Sequence, residues 1–219
     1  MNKDFSNVMS TLTGIQDSLL QVAVYTDFQP QCVIILEEDP PDLLESLDSL
    51  KNYTIKRKLR FPLLINRNFA ESSLDSYPLE FLDIVSSNYE NLFVKKDLLK
   101  TLKFDPVNLR LQMEREIKSK WLLTRLSYLE MKTDSKKMAN IIALTLTNIL
   151  PVLKGICYLK DGSAPPQYDA AVERATNITD IEFDTIFSWI ANKKVSLENV
   201  KQYLAILESL MQYLEMIDK

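Results

Sequence analysis

The chain of 219 residues is 46% hydrophobic, enough to build a sizeable core, so disorder is excluded as its default state. A net charge of −4 and a pI near 5.1 exclude the overall positive field that holds proteins on nucleic acid or anionic lipid, leaving only local binding of that kind. Histidine is absent, which removes Ser-His-Asp and Cys-His sites and His-ligated metals, and Gly14, Gly155 and Gly162 are too scattered for a phosphate-cradling Walker or dinucleotide-binding loop.

The start, MNKDFSNVMS, is polar and mixed, so no secretory leader is expected. Phe5, Val8, Met9, Leu12 and Leu19 stand three and four apart among polar residues, which predicts an amphipathic helix over 5–20. QVAVY (21–25) and CVIIL (32–36) are short β-branched runs that predict two strands joined by a Pro-containing turn, TDFQPQ. Asp39 before Pro40 reads as the N-cap of a helix carrying Leu43, Leu44, Leu47 and Leu50. A third strand is expected over 60–65, a short helix over 67–75, and further strands over 79–85 and 90–94, with Pro78 opening the first of these. Strands alternating with helices up to residue 104 define a compact α/β unit.

After residue 106 the pattern is helical. A long helix is predicted to about residue 131, with Met113, Ile117 and Trp121 on one apolar line and Leu122, Leu126 and Leu129 on another, so that it packs on two neighbours. Residues 136–159 are apolar nearly all round and predict a central helix kinked at Pro151. The loop DGSAPP (161–166) leads to a helix with Tyr168, Ala171, Val172 and Ala175 on one face. Thr179 and Glu182 form a capping box for a helix carrying Phe183, Ile186, Phe187 and Ile190. Ser196 caps the last helix, whose stripe is Val200, Tyr203, Leu204, Leu207, Met211 and Leu214. The apolar stretch 141–153 carries Thr145, Thr147, Asn148 and Pro151 and falls short of the ~20 residues of a membrane span. Cys32 and Cys157 sit among apolar residues and read as reduced, buried thiols of a cytoplasmic protein, with a disulfide or a reactive thiol as the alternative. Trp121 and Trp189 lie on apolar faces and read as core.

The stretch SLDSYPLEFLDIVSSNYENLF (73–93), followed by NLRLQMEREIKSKWLLTRLSYLE (108–130), resembles a group of prokaryotic nucleotidyltransferase-like proteins. The matching positions are Ser73, Leu74, Asp75, Pro78, Leu79, Glu80, Phe81, Leu82, Asp83 and Ile84, then Leu109, Arg110, Leu111, Gln112, Glu114, Glu116 and Lys120. The end, YLAILESLMQYLEMID, is similar to that group's closing helix. The resemblance implies a DNA-polymerase-β-type nucleotidyltransferase fold followed by a helical domain. Active members of that superfamily carry a Gly-Ser turn after the first strand and Asp-x-Asp at the head of the next, where two carboxylates share Mg²⁺ ions bridging nucleotide phosphates. Here no Gly-Ser follows QVAVY, and the Asp-x-Asp positions fall on Gln29 and Gln31. Amide oxygens bring no charge, so the resemblance implies a catalytically degenerate member.

The other acids nearby, Glu37, Glu38 and Asp39, read as a solvated turn and helix cap. Glu80 and Asp83 stand in the most family-like segment, but three apart on a strand they face opposite sides and cannot share a metal. The basic cluster Lys56, Arg57, Lys58 and Arg60, and the helix cations Arg110, Arg115, Lys118, Lys120 and Arg125, could line a phosphate cleft. They read instead as solvated surface, because no exposed aromatics are interleaved and Arg110, Arg115 and Lys118 spread over an arc of about 140°.

The expectation is an α+β protein: residues 1–104 a degenerate nucleotidyltransferase-like domain with a small mixed sheet and flanking helices, residues 105–219 an all-α helical bundle. The expected function is binding or assembly through a protein partner or self-association, without cofactor, membrane or sequence-specific nucleic acid. The competing reading is a residual nucleotidyltransferase, or a nucleotide binder using Mg²⁺, with Glu80, Asp83 and the basic helix over 110–125.

Overall fold

A computed structural model of the chain describes residues 5–26, 29–130, 148–183 and 196–217. It divides into two compact units, the first comprising Met1–Tyr77 and Ile84–Phe104 and the second Pro78–Asp83 and Asp105–Lys219. The protein is mixed α/β, with one four-stranded mixed sheet and flanking helices.

The sheet lies in the first unit. Its β-branched runs form β1 (Leu19–Thr26) and β2 (Pro30–Leu36), an antiparallel pair in which Val24 faces Cys32 and Val22 faces Ile34. β3 (Leu63–Asn66) adds parallel to β2, and β4 (Glu90–Val94) antiparallel to β1, giving the order β3-β2-β1-β4. Val22, Val24, Cys32, Ile34 and Leu36 share a sheet face, and Phe5, Val8, Leu12, Ile15 and Leu50 join them in one core cluster. Cys32 and Cys157 are free and buried, and burial pushes their thiols up to about 12 and about 11.

Three local expectations are corrected here. Residues 5–20 do not form an α-helix: two short 3₁₀ segments, Val8–Thr11 and Thr13–Ser18, precede β1, which claims Leu19 and Leu20. Thr11 turns its hydroxyl back onto the Val8 carbonyl (2.7 Å), and Gly14 has poor helix propensity, so the α form is not favoured locally. Asp39 is not a helix cap. It accepts a hydrogen bond from Asn66 Nδ2 (2.8 Å), while α1 (Leu43–Ser46) begins after Asp42 and is followed by α2 (Asp48–Arg57). The segment 79–85 is not a strand, for it lies within the helix α4 (Pro78–Ser86), which follows α3 (Arg67–Ser72). Proline at the start of the helix has no N–H of its own to leave unpaired, and Leu79, Leu82 and Val85 then recur every three residues.

A polar cluster underlies β1. Gln21 is fully buried; its Nε2 donates to Asn91 Oδ1 and Asp97 Oδ1, both at 2.8 Å, and its Oε1 accepts from Leu99 N–H (3.2 Å). Asp97 also accepts from Tyr89 Oη (2.7 Å), Asn91 Nδ2 and the Lys100 N–H. Burial works to raise the Asp97 pKa, but these donors outweigh it and hold the carboxyl below its ordinary value.

In the second unit every regular element among the described residues is helical: the first part of α4, then α5 (Pro106–Glu130), α6 (Leu150–Asp161), α7 (Tyr168–Thr179) and α8 (Leu197–Met216). α5 packs against α6 and α8. Met113 and Ile117 are fully buried, but the second apolar line, Leu122, Leu126 and Leu129, is exposed rather than packed. Trp121 is not core either. It is partly exposed, donates through Nε1 to Glu208 Oε1 (2.9 Å) and carries the Arg125 guanidinium 4.4 Å above its ring. Pro151 stands in the first turn of α6, where it starts the helix instead of kinking it. Gly162 ends α6 with φ of 71°, a left-handed conformation that glycine adopts without strain. Tyr168, Ala171, Val172 and Ala175 of α7 are buried. Ser196 caps α8 through a box closed by Asn199. Thr179 does not form a capping box with Glu182: it is the last residue of α7, its hydroxyl donates back to the Ala175 carbonyl (2.8 Å), and residues 180–183 are not helical. The rest of the helix expected there, Trp189, and the part of the 136–159 helix before Asn148 lie outside the described residues. Among the described residues no helix is long and apolar enough to cross a membrane.

Candidate functional site

The helical form of α4 changes the geometry of its two carboxylates. Residues three apart on a helix are neighbours on one side, so Glu80 and Asp83 do not face opposite ways as a strand would require. Each is taken up by a different partner. Gln112 of α5 accepts the Leu79 N–H through Oε1 (2.8 Å), filling the role of a helix cap, and donates through Nε2 to Glu80 Oε2 (2.7 Å). Asp83 receives Lys154 Nζ on Oδ1 (2.7 Å) and Tyr168 Oη on Oδ2 (2.8 Å).

Lys154 is the least expected member of this group. Its side chain is 0% exposed and that of Asp83 13%, so a full charge is held within an otherwise apolar stretch of α6. Besides Asp83 it donates to the Pro166 carbonyl (3.2 Å), and it sits 4.6 Å from the centroid of the Tyr168 ring. The adjoining Gly155 allows this close approach of helices. A Cβ there would stand 2.6 Å from Met113 Sδ and 2.9 Å from a Leu79 methyl. Sequence reasoning missed Lys154, Tyr168 and the capping role of Gln112. One signal for the first was present: a lone lysine between Leu153 and Gly155 in an apolar helix must find an anion.

The helix cations are arranged along α5 in pairs with its own acids. Arg110 and Lys118 both bond Glu114, the latter at 3.0 Å, Lys120 bonds Glu116, and Arg125 stacks on Trp121. Arg115, between Glu114 and Glu116 in sequence, is exposed to solvent. Lys56, Arg57, Lys58 and Arg60 belong to the first unit, at the end of α2 and beyond it, and are exposed.

Gln31 lies in β2 opposite Tyr25, whose hydroxyl donates to Gln31 Oε1 (3.3 Å). Glu37 pairs with Arg67 at 2.8 Å, and Arg67 also bonds Glu71 at 3.0 Å. Among the described residues no three His, Cys, Asp or Glu side chains gather in a way that could hold a metal ion. Compared with known proteins, the chain matches no family model and no curated protein.

Proposed function

We propose that this chain is a catalytically silent, nucleotidyltransferase-like protein that serves as a binding or assembly subunit. One observation carries the reading: the two carboxylates best placed for chemistry are engaged in holding helices together. Both oxygens of Asp83 are occupied by Lys154 and Tyr168, and Glu80 is bound by the glutamine that caps its own helix. A carboxylate that must bind Mg²⁺ and phosphate needs those lone pairs. Amides at Gln29 and Gln31 point the same way. Titration calorimetry with Mg²⁺ and ATP is expected to show no binding tighter than about 1 mM, equivalent to roughly −4 kcal/mol. A micromolar complex would favour the nucleotide-binding alternative.

The assembly half of the reading rests on α5. Leu111, Leu122, Leu126 and Leu129 fall within an arc of about 60° at 100° per residue and are 52%, 53%, 48% and 73% exposed. Set antiparallel against its own image and centred between Arg125 and Leu126, this stripe lays Leu122 of one copy opposite Leu129 of the other. A second copy is therefore the proposed occupant. Sedimentation velocity at about 100 µM, about −5.5 kcal/mol in affinity terms, is expected to show a dimer. The double variant Leu122→Glu/Leu129→Glu is expected to sediment as a monomer with unchanged circular dichroism. A monomeric parent, or a variant that dimerises equally well, overturns self-association through this stripe.

A further inference from the structure

We infer that the end of α2 and the loop behind it form a binding surface for single-stranded nucleic acid, recognised without regard to sequence. This stands apart from the assembly reading, since it concerns the first unit alone. Between Asp48 and Glu71 the chain has no acid, and within that stretch Lys51, Lys56, Arg57, Lys58 and Arg60 make a local block of positive charge in a chain of net −4. All five are exposed, and among the described residues no carboxylate lies within ion-pair distance of any of them. Every cation paired on α5 shows how readily this chain neutralises a charge when the fold calls for it.

The solvated-surface reading of this cluster assumed that no exposed aromatics were interleaved with it. That assumption fails. Phe61 is 62% exposed directly after Arg60, and Ile55 is 57% exposed directly before Lys56. The Arg57 guanidinium lies 5.2 Å from the Tyr53 ring centroid, a cation–π contact that adds an aromatic ring to the cluster. Lys56 and Arg57 also suit the negative end of the α2 dipole, which accounts for those two. It does not account for Lys58 and Arg60, which lie past the helix end, nor for an unpacked phenylalanine beside them. Backbone phosphates held by cations, with a base resting on an aromatic ring, require that combination.

A membrane fits less well. A bilayer presents a plane of negative charge to a whole side of the molecule, and only a few apolar side chains stand here to enter it. A single strand can follow a local patch on an acidic protein.

The test is fluorescence anisotropy of labelled dT12 with the full chain. Binding is expected at about 10 µM in 25 mM NaCl, with log K falling against log salt at a slope of about −2 to −3, the value for three or four phosphates. Lys56→Gln/Arg60→Gln is expected to weaken binding at least about tenfold and to flatten the slope by about 1.4. Phe61→Ala is expected to weaken it about fivefold without changing the slope. These side chains are exposed, and circular dichroism of each variant checks that the fold is kept. The proposal is overturned if the parent does not bind dT12 at 25 mM NaCl, if either variant binds as the parent does, or if a duplex binds as tightly. Binding to phosphatidylserine vesicles without binding to dT12 also overturns it, in favour of a lipid surface.

Discussion

Replacing Asp83 by alanine is expected to destabilise the second unit by about 3–5 kcal/mol. The substitution removes little apolar contact, so the effect comes from what it leaves behind. Lys154, 0% exposed, would keep its charge with only the Pro166 carbonyl, the Tyr168 ring and its remaining contacts for compensation. Tyr168 would lose the acceptor for its hydroxyl in the same step. Lys154→Met is expected to cost less, about 1–2 kcal/mol, because it takes the buried charge away and leaves Asp83 partly exposed and bonded to Tyr168. The double variant Asp83→Leu/Lys154→Met is expected to be less destabilised than Asp83→Ala alone, since neither charge then remains. Guanidinium denaturation followed by circular dichroism ranks the three. Equal costs for the two single variants would show that the pair acts by packing rather than by mutual neutralisation.

Gln21→Met is expected to cost about 3 kcal/mol at pH 7, although it nearly conserves volume and fits a fully buried position. The lost amide serves Asn91, Asp97 and the Leu99 N–H, and the last is left buried without its acceptor. The pH dependence separates this from a packing defect. In the parent, Asp97 titrates below its ordinary 3.8, so its ionised form contributes stability that is present above that value and lost as pH falls through the folded pKa. The variant removes one of the donors that lower this pKa. Its penalty relative to the parent is therefore expected to shrink as pH falls below the ordinary carboxylate value and through the parent's lowered folded pKa, where Asp97 becomes protonated in both. A penalty that stays constant from pH 7 down to the acid unfolding of the parent would assign the loss to packing alone.

Local chemistry alone was enough to read several elements. Alternating β-branched runs bounded by turn residues specify the β1–β2 hairpin. Three- and four-residue spacing specifies α5 and α8, and Ser196 marks where α8 starts. In each, the signal lies within a few residues of the structure it dictates. The two cysteines were legible for the same reason, since their apolar neighbours in sequence are also their neighbours in space.

The candidate site was not legible in that way. PLEFLDIVS is apolar enough to suit a strand or a helix at its length, and α4 takes the helical form with Gln112, 33 residues away, receiving the Leu79 N–H. Asp83 and Lys154 stand 71 residues apart and Asp83 and Tyr168 stand 85 apart, so no spacing rule connects them. The leucines at 122, 126 and 129 have the same periodicity as Met113 and Ile117, yet one line is exposed and the other buried. Periodicity reports which side chains share a helix face and is set by the backbone pitch. Whether that face is covered, and whether a buried charge meets its opposite, depends on residues that only the folded chain brings within a few ångströms, and these were decided by tertiary structure alone.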